Sequence, residues 1–217
     1  PKGDSVLARG WQGVEYVFKV YPVSGGQPRE IYRDSSSVPS PTDWSRDGRY
    51  LAINQNGRQT TMSDVAYFDF SDSQLKPFLA TPADERAAKF SPDGRWLAYE
   101  SNETGTYEVY IRSFPVGAQS RRVSYTGGRH PRWRADGKEL YFLAPGWTLM
   151  AVDVKLQPTP EISTPTPLFQ MVMADILKGS ASPYDVSPDG QRFLVISPQT
   201  KPVPLTLIQH WIGLVDR

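Results

Sequence analysis

Residues 90–101, FSPDGRWLAYES, join an aromatic side chain, a Ser-Pro-Asp-Gly turn and a short apolar run. The Asp-Gly pair supplies a tight reversal, because glycine takes the positive φ that other residues resist and the proline before it fixes the entry. The aromatic and branched residues on either side read as the two strands of a hairpin. The same order recurs as WSRDGRYLAI at 44–53, WRADGKELYF at 133–142 and VSPDGQRFLV at 186–195.

The turn glycines Gly48, Gly94, Gly137 and Gly190 lie 46, 43 and 53 residues apart. That is the size of one four-stranded propeller blade, roughly 40–50 residues. After each hairpin comes a variable loop and an alternating third strand, at 67–70, 107–113 and 149–154. A fourth strand follows at 76–79, 122–125 and 167–169. The expected fold is all-β: a β-propeller of four-stranded antiparallel blades in a single domain over 1–217. Five approximate blades fall at 1–35, 36–80, 81–126, 127–170 and 171–217. The terminal ones are incomplete. The first offers strands only at 5–9, 16–23 and 29–32, and the last offers 181–186, 192–196 and 205–211.

The core at 90–99 resembles the WD40-like PD40 repeats of TolB-type propellers. Residues 184–211 resemble the C-terminal end of the TolB-like sensor regions found behind bacterial serine/threonine kinases. This resemblance implies a ligand- or protein-binding module in an extracytoplasmic, periplasmic setting. It also implies that the chain is the C-terminal arc of a six-bladed ring. An open terminal strand exposes unpaired backbone groups, so either the two ends close the ring or two chains associate edge to edge as a homodimer.

The 217-residue chain can bury a sizeable core, and its 39% hydrophobic content fits one. With 24 basic and 23 acidic side chains, no global charge draws it to nucleic acid or to an anionic membrane. No apolar run approaches the ~18 residues that would cross a bilayer, so membrane insertion is not expected. The absence of cysteine excludes disulfides and thiolate chemistry. The chain begins at Pro1 without a methionine, which leaves room for a leader or upstream domain already removed.

Propeller ligands meet the central funnel or the loops at one face, where the segment entering each innermost strand is presented. Those segments here are 38–41, 84–86, 129–131 and 182–184. Arg86, Arg129 and His130 facing Asp84 and Glu85 would form a polar rim for a carboxylate-bearing or peptide ligand. The same charges pairing across blades would merely order the channel. Trp11 and Trp147 fall outside the repeat's core pattern, in expected loops, and are further candidates for ligand contact. The arginines of 112–138 span two blades, and strand alternation disperses them, which argues against a nucleic-acid site.

Segments 43–48 and 185–190 begin like calcium loops, but the twelfth position is Asn54 or Ile196 rather than glutamate. Their first aspartates are expected to accept hydrogen bonds in the turn. His130 and His210 are the only histidines, so neither a zinc site nor any other cofactor is expected. The Gly3-Asp4-Ser5 start resembles one lipase class, but neither histidine has the required aspartate three residues earlier. No catalytic residue is assigned. The leading reading is a non-enzymatic interaction or sensor module. Alternatives are a hydrolase or hydrolase-associated propeller, with His130 meeting Asp84, Glu85 or Asp185, and an assembly protein working through open blade edges.

Overall fold

The computed structural model describes residues 3–56, 63–157, 159–172 and 182–196. These form five antiparallel sheets in chain order. The first has three strands, β1 (Ser5–Gln12), β2 (Glu15–Pro22) and β3 (Arg29–Asp34). The second has β4 (Val38–Trp44), β5 (Tyr50–Asn56), β6 (Asp64–Asp69) and β7 (Gln74–Leu79). The third has β8 (Glu85–Phe90), β9 (Trp96–Ser101), β10 (Glu108–Ser113) and β11 (Ser120–Arg122). In the fourth, β12 (Arg129–Trp133), β13 (Glu139–Ala144) and β14 (Thr148–Lys155) are followed by β15 (Glu161–Ile162) and β16 (Thr166–Gln170), both paired to β14. The fifth is the hairpin β17 (Tyr184–Val186) and β18 (Phe193–Val195). The expected strand at 205–211 lies outside the described residues.

Several expectations shift. The last strand of the third blade runs over Ser120–Arg122 rather than 122–125, and the fourth blade carries the additional short strand β15. Trp11 sits in β1 rather than in a loop, and Trp147 ends a short 3-10 turn, Pro145–Trp147.

The turn that founded the repeat is built as its residues require. Ser91 Oγ donates to Asp93 Oδ1 at 2.6 Å while accepting from Trp96 N, and Arg95 N donates to the same carboxylate oxygen. Gly94 closes the reversal at φ +69°. Ser45 with Asp47 and Ser187 with Asp189 repeat this arrangement. In the fourth blade Arg134 takes the serine's place, and its guanidinium forks onto both oxygens of Asp136 at 2.8 and 2.9 Å.

The strands after the first three turns, β5, β9 and β13, are largely buried on both faces, because their blades are packed between neighbours, whereas Leu194 of β18 is 75% exposed. Leu97 and Tyr99 point into a cluster with Ala52, Val65 and Ala88 of neighbouring strands. Trp96 and Ala98 point the other way, to Leu140, Phe142 and Val152. Period-2 alternation therefore yields an almost continuous apolar run rather than an in-and-out pattern. Each fully buried Leu or Phe contributes about 1.5–3 kcal/mol, so the stack of blades is where most stability resides.

Candidate functional site

The first strands β4, β8, β12 and β17 follow one another around the channel, each touching the next. Each of the first three carries a bulge: the register shifts between Pro41 and Asp43, between Arg86 and Lys89, and between Arg129 and Arg132. Ala87 and His130 occupy matching bulge positions, both at φ +56°. A bulge changes the phase of side-chain alternation. Arg86 and Lys89, three residues apart, thus line one cavity, and so do Arg129 and Arg132.

A bulged residue turns its N–H out of the ladder, where it needs an acceptor. The end of the preceding blade's second strand supplies one. Asn54 Oδ1 accepts from Ala87 N at 3.0 Å, and Glu100 Oε1 accepts from His130 N at 2.7 Å. In the next blade the matching residues are Leu143 and Pro183; proline has no N–H, and the apolar leucine leaves nothing unmet. Further bonds cross the seams: Phe90 N donates to Asp43 Oδ2 at 2.8 Å, Trp133 Nε1 to Lys89 O at 3.1 Å, and Tyr184 OH to His130 O at 2.8 Å.

The resulting cavity measures about 470 Å3. At its mouth Arg86 Nε and Arg129 Nε stand 3.4 and 3.3 Å from the same oxygen of Glu100, Oε2. Both guanidiniums stack on Tyr107, with Cζ at 4.2 and 4.5 Å from the ring centre. The Tyr107 hydroxyl in turn donates to Asp84 Oδ2, which lies 3.7 Å from Arg86. Glu100 is 1% exposed; burial pushes its carboxyl up, against the His130 N–H and Arg86, which lower it. Asp84 Oδ1, Thr42 Oγ1 and Arg86 Nε are buried without a hydrogen-bond partner. Acids and cations both line the cavity, with Asp84 and Glu100 nearly buried and Arg86 and Arg129 the more exposed.

Further along the first strands, Lys89 faces Asp43 at 3.7 Å and Arg132 faces Asp185 at 3.6 Å. The Lys89 ammonium also donates to Thr42 O. Burial lowers the Lys89 pKa and raises that of Asp43, each opposed by the other's charge. The His130 ring is held at a pKa of about 4 by burial, with Arg132 and Arg86 adding to the effect, so it is neutral near pH 7.

Of the residues singled out from sequence, Asp84, Arg86, Arg129 and His130 meet at this mouth. Glu85 does not: it is buried, accepting from Thr81 Oγ1, and is absent from the cavity lining. Trp11 lies far out on β1, stacked edge-on against Tyr16 with its Nε1 on Gly13 O. Trp147 lines a separate recess that shares Arg129. His130 Nδ1 faces Glu100, at 3.8 Å, and not Asp84, Glu85 or Asp185. Asp43 accepts across the blade seam from Phe90 N as well as from the Trp44 backbone, and Asp185 accepts from Val186 N.

Sequence reasoning missed Glu100, Tyr107, Lys89 and Arg132. The aligned repeats held one signal for two of them: the residue before the first core position of each repeat, Trp44, Phe90, Trp133 or Val186, is Asp43, Lys89, Arg132 or Asp185, all charged. Arg112, Arg122, Arg129 and Arg134 bond to Gly117 O, Glu108, Glu100 and Asp136 respectively. Among the described residues no cluster of three or more His, Asp or Glu side chains has the geometry to hold a metal.

No family model matches the chain, and no curated protein matches it in sequence. Among solved structures, TolB from Acinetobacter baumannii superposes with a TM-score of 0.68 at 15% identity, over 92% of this chain and 47% of that one. A protein assigned as TolB from Agrobacterium tumefaciens gives 0.54 at 18% identity, over 72% and 62%. An oligogalacturonate lyase in complex with manganese gives 0.60 at 14% identity, over 83% and 50%. The fold is a TolB-like β-propeller, and the chain spans about half the length of the first of these structures.

Proposed function

We propose that this propeller is a non-enzymatic binding module whose channel mouth receives a carboxylate-bearing ligand, a peptide segment or a small acid. The observation that supports it is the convergence of Arg86 and Arg129 on one oxygen of a buried Glu100, with both guanidiniums stacked on Tyr107 at the edge of a 470 Å3 cavity. Two pre-set guanidiniums with a single recessed acceptor oxygen suit a bidentate carboxylate. In a longer signalling protein, a module of this kind would be the ligand-reading part.

The test is calorimetric titration with acetyl-Gly-Gly-Gly bearing a free C-terminus, against the same peptide as its amide. The acid is expected to bind at least about tenfold tighter, the worth of one charge-assisted hydrogen bond. Arg129→Gln should remove that preference. Equal affinity for acid and amide would reject the reading.

A second reading is acid–base chemistry at the same mouth, favoured by the neutral His130 ring beside Glu100. Oligogalacturonate, the substrate class named for one structural neighbour, is the first compound to test. Unsaturated product that is lost in His130→Asn would favour catalysis over simple binding.

A further inference from the structure

Beside the mouth, between the third and fourth blades, a recess of about 360 Å3 opens. Its lining is mostly apolar, with Leu143, Pro145 and Trp147 opposite Tyr107 and the 127–128 backbone. Trp147 holds φ +62°, a conformation that a bulky residue resists, so its position is set by the surrounding turn. Met171 N donates to Trp147 O and Gln170 Nε2 to Gly146 O, each at 2.9 Å. A Cβ at Gly127 would stand 2.7 Å from Pro145 Cγ, and one at Gly128 would stand 2.3 Å from Ser124 Oγ. Only bare backbone fits along that wall.

Arg129 borders both the recess and the mouth. Its Nε faces Glu100, and no hydrogen bond runs from its Nη atoms to a described residue. A guanidinium edge at the boundary between a polar cavity and an apolar recess complements one arrangement of ligand atoms: a carboxylate on a carbon that also bears an apolar group. We infer that mouth and recess together read the C-terminal residue of a peptide, with the α-carboxylate on Arg129 and a side chain of leucine or phenylalanine size against Pro145 and Trp147. This rests on the mouth being a carboxylate site and adds the side-chain preference.

The experiment is calorimetric titration of the 217-residue chain with acetyl-Gly-Gly-Phe and acetyl-Gly-Gly-Gly, both with free C-termini. The phenylalanine peptide is expected to bind about tenfold tighter, since its ring leaves water. Trp147→Ala should erase that difference and leave the glycine peptide unaffected. Pro145→Asn alters an exposed residue without adding charge beside Arg129 and should do the same, which covers the case in which Trp147→Ala fails to fold. Equal binding of the two acids, or a difference that survives in the folded variants, overturns the recess and leaves the mouth reading standing. If neither acid binds, both are overturned.

Discussion

The two levels of the channel use the same strand positions in opposite ways. Further along the strands each cation has its own acid, Lys89 with Asp43 and Arg132 with Asp185. At the mouth, Arg86 and Arg129 converge on one buried oxygen of Glu100. Those pairs match one acid to one cation, whereas at the mouth the acid is buried and the guanidiniums are one-quarter to one-third exposed. The contrast separates charges that pair one to one from two cations that share a single acid, and that acid, Glu100, also ties the third blade to the fourth.

Three substitutions test that contrast. Glu100→Leu is expected to have the largest effect, because it strips two guanidiniums and the His130 N–H of their common acceptor. Removing one partner of a buried ion pair costs about 3–5 kcal/mol, read from the urea midpoint. A loss below about 1 kcal/mol would mean that the mouth arginines need no counter-ion.

The second concerns pH. His130 has a folded-state pKa of about 4, below its ordinary 6.5, so the unfolded chain binds the proton more readily. The stability from the buried neutral ring is fully present above pH 6.5 and is lost as the pH falls through about 4. By linkage it amounts to about 3 kcal/mol. The raised Glu100 carboxyl acts in the opposite sense, favouring the fold at low pH and losing that contribution as pH rises. His130→Asn, which tolerates the positive φ, should flatten the acid limb of a stability–pH curve; an unchanged limb would place the acid sensitivity elsewhere.

The smallest effect is expected for Asp43→Asn. The amide still accepts from Phe90 N while leaving Lys89 without its counter-charge. The pair is partly exposed, so about 1 kcal/mol is at stake. A loss as large as that of Glu100→Leu would erase the distinction between the two levels.

The hairpins could be read from the sequence because their causes are local: Asp47, Asp93, Asp136 and Asp189 bond within five residues of themselves. Arg86, Arg129 and His130 were also legible as candidates, since they enter first strands at matching repeat positions. Glu85 was misplaced for a local reason as well. It directly precedes Arg86 on a strand, and neighbouring strand residues face opposite sides. Glu100 could not be found this way, because it sits in an apolar second strand and gains its partners only from the next blade.

The sequence by itself determined the repeat and the turn chemistry, because these depend on contacts a few residues apart or on a pattern of period two. Only the tertiary structure decided which charges meet. Bulges at Ala87 and His130 reverse the alternation within β8 and β12. They bring Lys89 and Arg132 to the side where Arg86 and Arg129 already stand. The acceptors that stabilise those bulges, Asn54 and Glu100, come from the preceding blade, so the site exists only once the blades have stacked.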